Sequence, residues 1–156
     1  MSATVVSFFI LGFSAFGLLL WLRSAARSVL AHRFEQDYST DVAEANQLEY
    51  LEVRRLLGRA AGVADYQELL TALQRDYEAL TYLLRNAATL HVGRYTRAER
   101  LLILDFHLLR LWVGTKRAVG AETWRANVQE MVSILEYFGN VVGQRLVTFP
   151  SRVPTT

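Results

Sequence analysis

The chain has no cysteine, which removes disulfide frameworks, Cys-ligated zinc, iron–sulfur clusters and thiol catalysis together. Proline occurs twice, both times in the terminal stretch TFPSRVPTT, so no proline interrupts a helix before that point. Only three histidines are present, His32, His91 and His107, and none has a glutamate three residues before it. The Glu-x-x-His pairs that build di-iron sites in helical bundles are therefore missing. There is no Gly-rich phosphate loop, no Gly-x-Ser-x-Gly elbow and no zincin motif. No metal and no cofactor is expected. Lysine is reduced to Lys116 against sixteen arginines, and acids and bases interleave to a net charge of +2 without a polybasic tail. A nucleic-acid partner is not expected.

What the chain does have is apolar residues, 52% of its 156, more than a soluble domain ordinarily uses. Much of the excess is in TVVSFFILGFSAFGLLLWL, residues 4–22, nineteen residues without a charge. As a helix this run covers about 28 Å, close to the hydrocarbon thickness of a bilayer. Ser24 and Ala26 resemble a signal-peptidase site, but no basic leader precedes the run, so an uncleaved anchor is expected. Arg23, Arg27 and Arg33 follow the run directly, which predicts a single-pass protein with its N-terminus outside and its body on the cytoplasmic side. Trp21 is expected at the headgroup level, with the three arginines meeting lipid phosphates. Gly12, Ala15 and Gly17 offer part of the span to another helix.

Beyond residue 36 the pattern is helical, with breaks near DYSTD, GRAAGVAD, HVGRYT and AVGAE. Asp41 with Glu44, Asp65 with Glu68, and Thr96 with Glu99 have the spacing of capping boxes. These signals predict helices over 41–57, 66–90, 97–118 and 122–147. Trp124, Val128, Met131, Leu135, Phe138 and Val142 form one apolar stripe; Leu69, Leu73, Tyr77, Leu80 and Leu84 form another. Short connections favour antiparallel neighbours. The expected fold is all-α: a single N-terminal transmembrane helix followed by a small antiparallel bundle of about four helices. In domain terms this is an anchor and juxtamembrane segment over 1–35, a cytoplasmic bundle over 36–147, and an extended tail over 148–156.

Within LLILDFHLLRLWVG, residues 101–114, ten of the first thirteen residues are apolar, which predicts the central helix of the bundle. Asp105 and His107 lie about 160° apart on such a helix and cannot converge on one atom. Asp105 is expected to meet an arginine from a neighbouring helix or to accept hydrogen bonds, since an unpaired buried charge costs several kcal/mol. In HVGRYTRAER, residues His91, Arg94, Arg97 and Arg100 surround a helix start that suits an anion or an acidic partner; a solvated turn is the plainer reading.

Two functions remain. The first is a non-catalytic accessory subunit that stabilises a larger membrane complex through its anchor and cytoplasmic bundle, its partners being the bilayer and other subunits; an energy-converting respiratory or photosynthetic complex is a suitable host. The second is a membrane-tethered enzyme or ligand sensor with a pocket between helices, drawing on Asp105, Tyr77, Tyr82 and His107.

Overall fold

The computed structural model describes residues 3–32, 34–58, 66–89, 95–118 and 124–148. Among them are six helices and no strand: α1 (Ala3–Leu30), α2 (Ser39–Ala45), α3 (Tyr50–Gly58), α4 (Tyr66–Thr89), α5 (Arg97–Ala118) and α6 (Trp124–Thr148). Between Val5 and Leu30, α1 is long and apolar enough to cross a membrane. The last three helices fall within two residues of the ranges the periodicity predicts.

The helix expected over 41–57 is instead two helices. At the end of α2, Leu48 donates its backbone N–H to Ala43 O at 2.9 Å and Gln47 donates to Glu44 O at 3.3 Å, with Gln47 in the left-handed region at φ 53°. That pairing is a Schellman-type stop, built here without the usual glycine. The new start at α3 is capped from outside its own sequence. Oδ2 of Asp76, on α4, accepts the backbone N–H groups of Glu49 and Tyr50 at 2.7 and 2.6 Å. Burial raises the Asp76 pKa, opposed by those two hydrogen bonds. The first capping box also moves: Asp37, not Asp41, holds the start of α2, accepting from Ser39 N at 2.9 Å and Ser39 Oγ at 2.6 Å. The third is as expected, with Thr96 N donating to Glu99 Oε2 at 3.1 Å and Glu99 N to Thr96 Oγ1 at 3.2 Å. Asp65 lies outside the described residues.

The centre of the body is α6, not α5 as expected; α1 to α5 all pack against it. The reason is visible in what each helix buries. On α5, Leu102, Phe106, Leu109 and Val113 are fully buried, whereas Leu104, Leu111 and Trp112 are exposed, so its apolar surplus is spread over two faces. On α6, Val128, Met131, Val132, Ile134, Leu135, Phe138 and Val142 are all buried, and Asn127, Gly139, Asn140 and Gly143 are buried between them. Gly139 and Gly143, four apart, let α2 approach its backbone. A Cβ at Gly143 would overlap the Tyr38 side chain, and one at Gly139 would sit 3.0 Å from the Tyr50 hydroxyl and 3.3 Å from Ser39 Cα. A hydrogen bond from Tyr38 N to Asn140 Oδ1 at 2.6 Å fixes that approach, and one from Tyr50 Oη to Ser39 O at 2.7 Å ties α3 to the start of α2.

Candidate functional site at the junction of α1 and the body

α1 changes character along its length. From Val5 to Leu18 its side chains are exposed, and open space lies beside Gly12 and Gly17. From Arg23 onward it joins the body: Ala26 is fully buried, and Val29 and Leu30 pack against the core. The transition is electrostatic as well as steric. Arg23 Nη2 donates to Glu130 Oε2 at 2.5 Å, and Arg27 Nε donates to Glu130 Oε1 at 3.2 Å, so one carboxylate of α6 receives two guanidinium groups of α1. Arg23 Nη1 is also 3.8 Å from Asp105 Oδ1 on α5.

Asp105 thus meets an arginine from a neighbouring helix, as expected for a buried acid. Its side chain is 0% exposed, and neither of its oxygens accepts a hydrogen bond from the described residues. Burial pushes its pKa up to about 6, against the pull of Arg23; the charge of Glu130 adds to the rise and that of Arg27 opposes it. Desolvation outweighs attraction here because 3.8 Å is too long for a hydrogen bond.

On the other side of α5, Tyr77 of α4 lies stacked on Phe106 with ring centroids 4.3 Å apart and planes 8° apart. Its hydroxyl is 3.1 Å from His107 Nε2. Burial raises the Tyr77 pKa to about 12, so it remains a neutral phenol at ordinary pH. Tyr82 is 67% exposed. Of the four residues considered for a pocket, Tyr77 and His107 are brought together, while Asp105 turns to Arg23 of α1.

A second charged contact ties the opposite end of α5. Glu99, buried in its first turn, accepts from Arg145 Nη2 of α6 at 2.5 Å. Arg145 Nη1 also donates to Leu84 O of α4 at 3.3 Å. Arg97 and Arg100 are exposed at this helix start, and Tyr95 donates its hydroxyl to Thr81 O at 3.2 Å. His91 and Arg94 lie outside the described residues, as does Arg33. Trp21 is exposed.

Along the junction runs an open groove of about 380 Å³ between α1, α5 and α6. It is lined on α1 by Phe16, Leu19, Leu20, Arg23 and Arg27, and opposite them by Leu108, Trp112 and Asn127. Sequence reasoning assigned Arg23 and Arg27 chiefly to lipid headgroups and missed Glu130 and Arg145. A signal was available: Glu99 and Glu130 are acids among residues of apolar helices, where burial without a basic partner is costly. No group of three or more potential metal ligands occurs among the described residues. No protein-family model, curated protein or solved structure matches the chain.

Proposed function

We propose that the chain is a non-catalytic accessory subunit of a larger membrane complex, crossing the bilayer once through α1 with its N-terminus outside and its bundle on the cytoplasmic side. The observation that carries this reading is the division of α1. One half offers exposed apolar side chains, while the other is held to α5 and α6 by Arg23, Arg27, Glu130 and Ala26. A helix held in this way sets the height and orientation of the body relative to the membrane, which is what a clamp between membrane and cytoplasmic surfaces of a complex requires. The interior ionisable groups support the same reading. Asp76 caps α3, Glu99 meets Arg145, and Asp105 faces Arg23, so each serves a contact between helices.

The competing reading, a membrane-tethered enzyme or sensor, draws on the Tyr77–His107 pair between α4 and α5. Extraction of the tagged chain in a mild detergent, followed by native electrophoresis and identification of co-migrating proteins, decides between them. Co-migration with a defined set of membrane subunits, and a host complex that dissociates more readily when the chain is deleted while its chemistry persists, is the expected result. Recovery as a well-folded monomer, together with an activity lost in His107→Gln, would overturn the proposal.

A further inference from the structure

We infer that the body does not merely hang below the bilayer: the end of the α5–α6 pair that carries Trp112 and Trp124 is embedded in the lipid headgroup layer beside α1, as a second, interfacial membrane contact. The inference rests on α1 crossing the bilayer and adds to it a lipid-facing surface on the bundle.

The geometry begins with relative height. Arg23, the first charge after the apolar run, faces Asp105, while Phe16, Leu19 and Leu20 share a groove with Leu108 and Trp112. Moving toward the N-terminus of α1 therefore means moving toward the C-terminus of α5, and the two helices are antiparallel. Residues 16–22 rise about 10 Å at 1.5 Å per residue. With Arg23 at the headgroups, α5 from Asp105 to Trp112 stands alongside the apolar run to that depth. This matches the roughly 5–10 Å to which interfacial helices sink their apolar faces.

Composition at this end agrees independently. Leu104, Leu111 and Trp112 are 49%, 66% and 42% exposed; with Leu108 in the groove, they form a 104–108–111–112 stripe at helical spacing. All three tryptophans of the chain gather at this end: Trp21 on α1, Trp112 on α5, and Trp124 as the first residue of α6, one turn before the groove residue Asn127. Tryptophan is the side chain most suited to the headgroup boundary. Beside Trp124, Arg125 is exposed with its guanidinium 5.7 Å from the indole centroid, a basic–aromatic pair suited to lipid phosphates. A phospholipid surface continuous with that around α1 satisfies all of these groups at once. At the opposite end of α5, with Glu99 and Arg145, Leu146 and Val147 of α6 are exposed, but no tryptophan lies there among the described residues.

Because the chain lacks cysteine, single thiols report position without background. The full chain is reconstituted in phosphatidylcholine–phosphatidylglycerol vesicles with a nitroxide at Phe13→Cys, Leu104→Cys or Leu111→Cys, and collisional relaxation by oxygen is compared with relaxation by a water-soluble nickel chelate. Lipid-like exposure at positions 13 and 111, with position 104 shallower than 111, is the expected result. Lipid-like exposure at 13 with chelate-accessible 111 overturns the interfacial contact and leaves the anchor intact. Chelate access at both positions overturns the anchor and, with it, this inference. Shielding of 111 from both reagents with spin–spin broadening assigns the stripe to a second copy of the chain and overturns the lipid assignment. As a check that does not depend on a cysteine variant, Trp112 as sole tryptophan (Trp21→Phe with Trp124→Phe) is expected to be quenched by lipids brominated near the ester end of the acyl chain. Quenching by aqueous iodide instead would count against the inference.

Discussion

Arg23 of α1 stands 3.8 Å from Asp105 of α5 while donating a 2.5 Å hydrogen bond to Glu130 of α6. One guanidinium thus serves two acids on different helices, and its better geometry goes to Glu130. Asp105 is left fully buried with attraction but no hydrogen bond from the described residues. This asymmetry makes the junction sensitive to pH.

The Asp105 carboxyl is raised from 3.8 to about 6 on folding, so the folded chain binds this proton more tightly than the unfolded one. Its contribution to stability is complete below about pH 4 and lost as pH rises through about 6, to an extent of roughly 3 kcal/mol. Asp105→Asn is therefore expected to flatten the stability profile between pH 4 and 6 and to be the more stable protein at pH 8. Urea unfolding in detergent across this range measures it. A variant less stable than the parent at pH 8 would mean that the ionised pair with Arg23 is net favourable.

Glu99 is 2% exposed and paired with Arg145. Arg145→Met strands its charge and is expected to cost about 3 kcal/mol, with part of that recovered in the double variant with Glu99→Gln. Glutamine still completes the capping box with Thr96, which isolates the charge effect. A loss below about 0.5 kcal/mol in Arg145→Met would class the pair with exposed ion pairs.

Gly143→Ala is expected to destabilise by about 1–3 kcal/mol, because its new methyl meets the Tyr38 side chain in the α2–α6 contact. Gly139→Ala should cost less, since its nearest neighbour is the Tyr50 hydroxyl at 3.0 Å. Hydrogen exchange of the α2 amides is expected to quicken in the first variant more than in the second. Equal effects at both positions would contradict the close approach described for Gly143.

Tyr77→Phe keeps the ring on Phe106 and removes only the contact with His107, which is exposed. A loss under about 1 kcal/mol is expected, with membrane association unchanged. Thermal unfolding and membrane fractionation check both. A normal fold with a lost catalytic activity would favour the enzyme reading over the accessory one.

Helix positions were readable because they depend on local terms. Thr96 and Glu99 are three residues apart in sequence and bond reciprocally in the structure, so the start of α5 could be placed from letters alone. The break at residues 46–49 could not. Half of its explanation is a left-handed Gln47, a conformation that glutamine does not advertise. The other half is Asp76, which reaches the α3 start from α4. The Gly139–Gly143 pair was visible in the sequence, but it became informative only once Tyr38 and Ser39 lay against it.

The amino-acid order by itself determined an all-helical chain, an apolar segment long enough to cross a bilayer, the last three helices, and a buried aspartate in need of a basic neighbour. Each follows from spacing within a few turns, where one residue's chemistry constrains the next. Only the tertiary structure decided that α6 forms the centre, that Arg23 and Arg27 are shared with Glu130, and that Trp112 and Phe16 line one groove. Those outcomes join residues about a hundred positions apart, and their energetics depend on which helix faces are covered together; periodicity can say that a face is apolar, but not what lies against it.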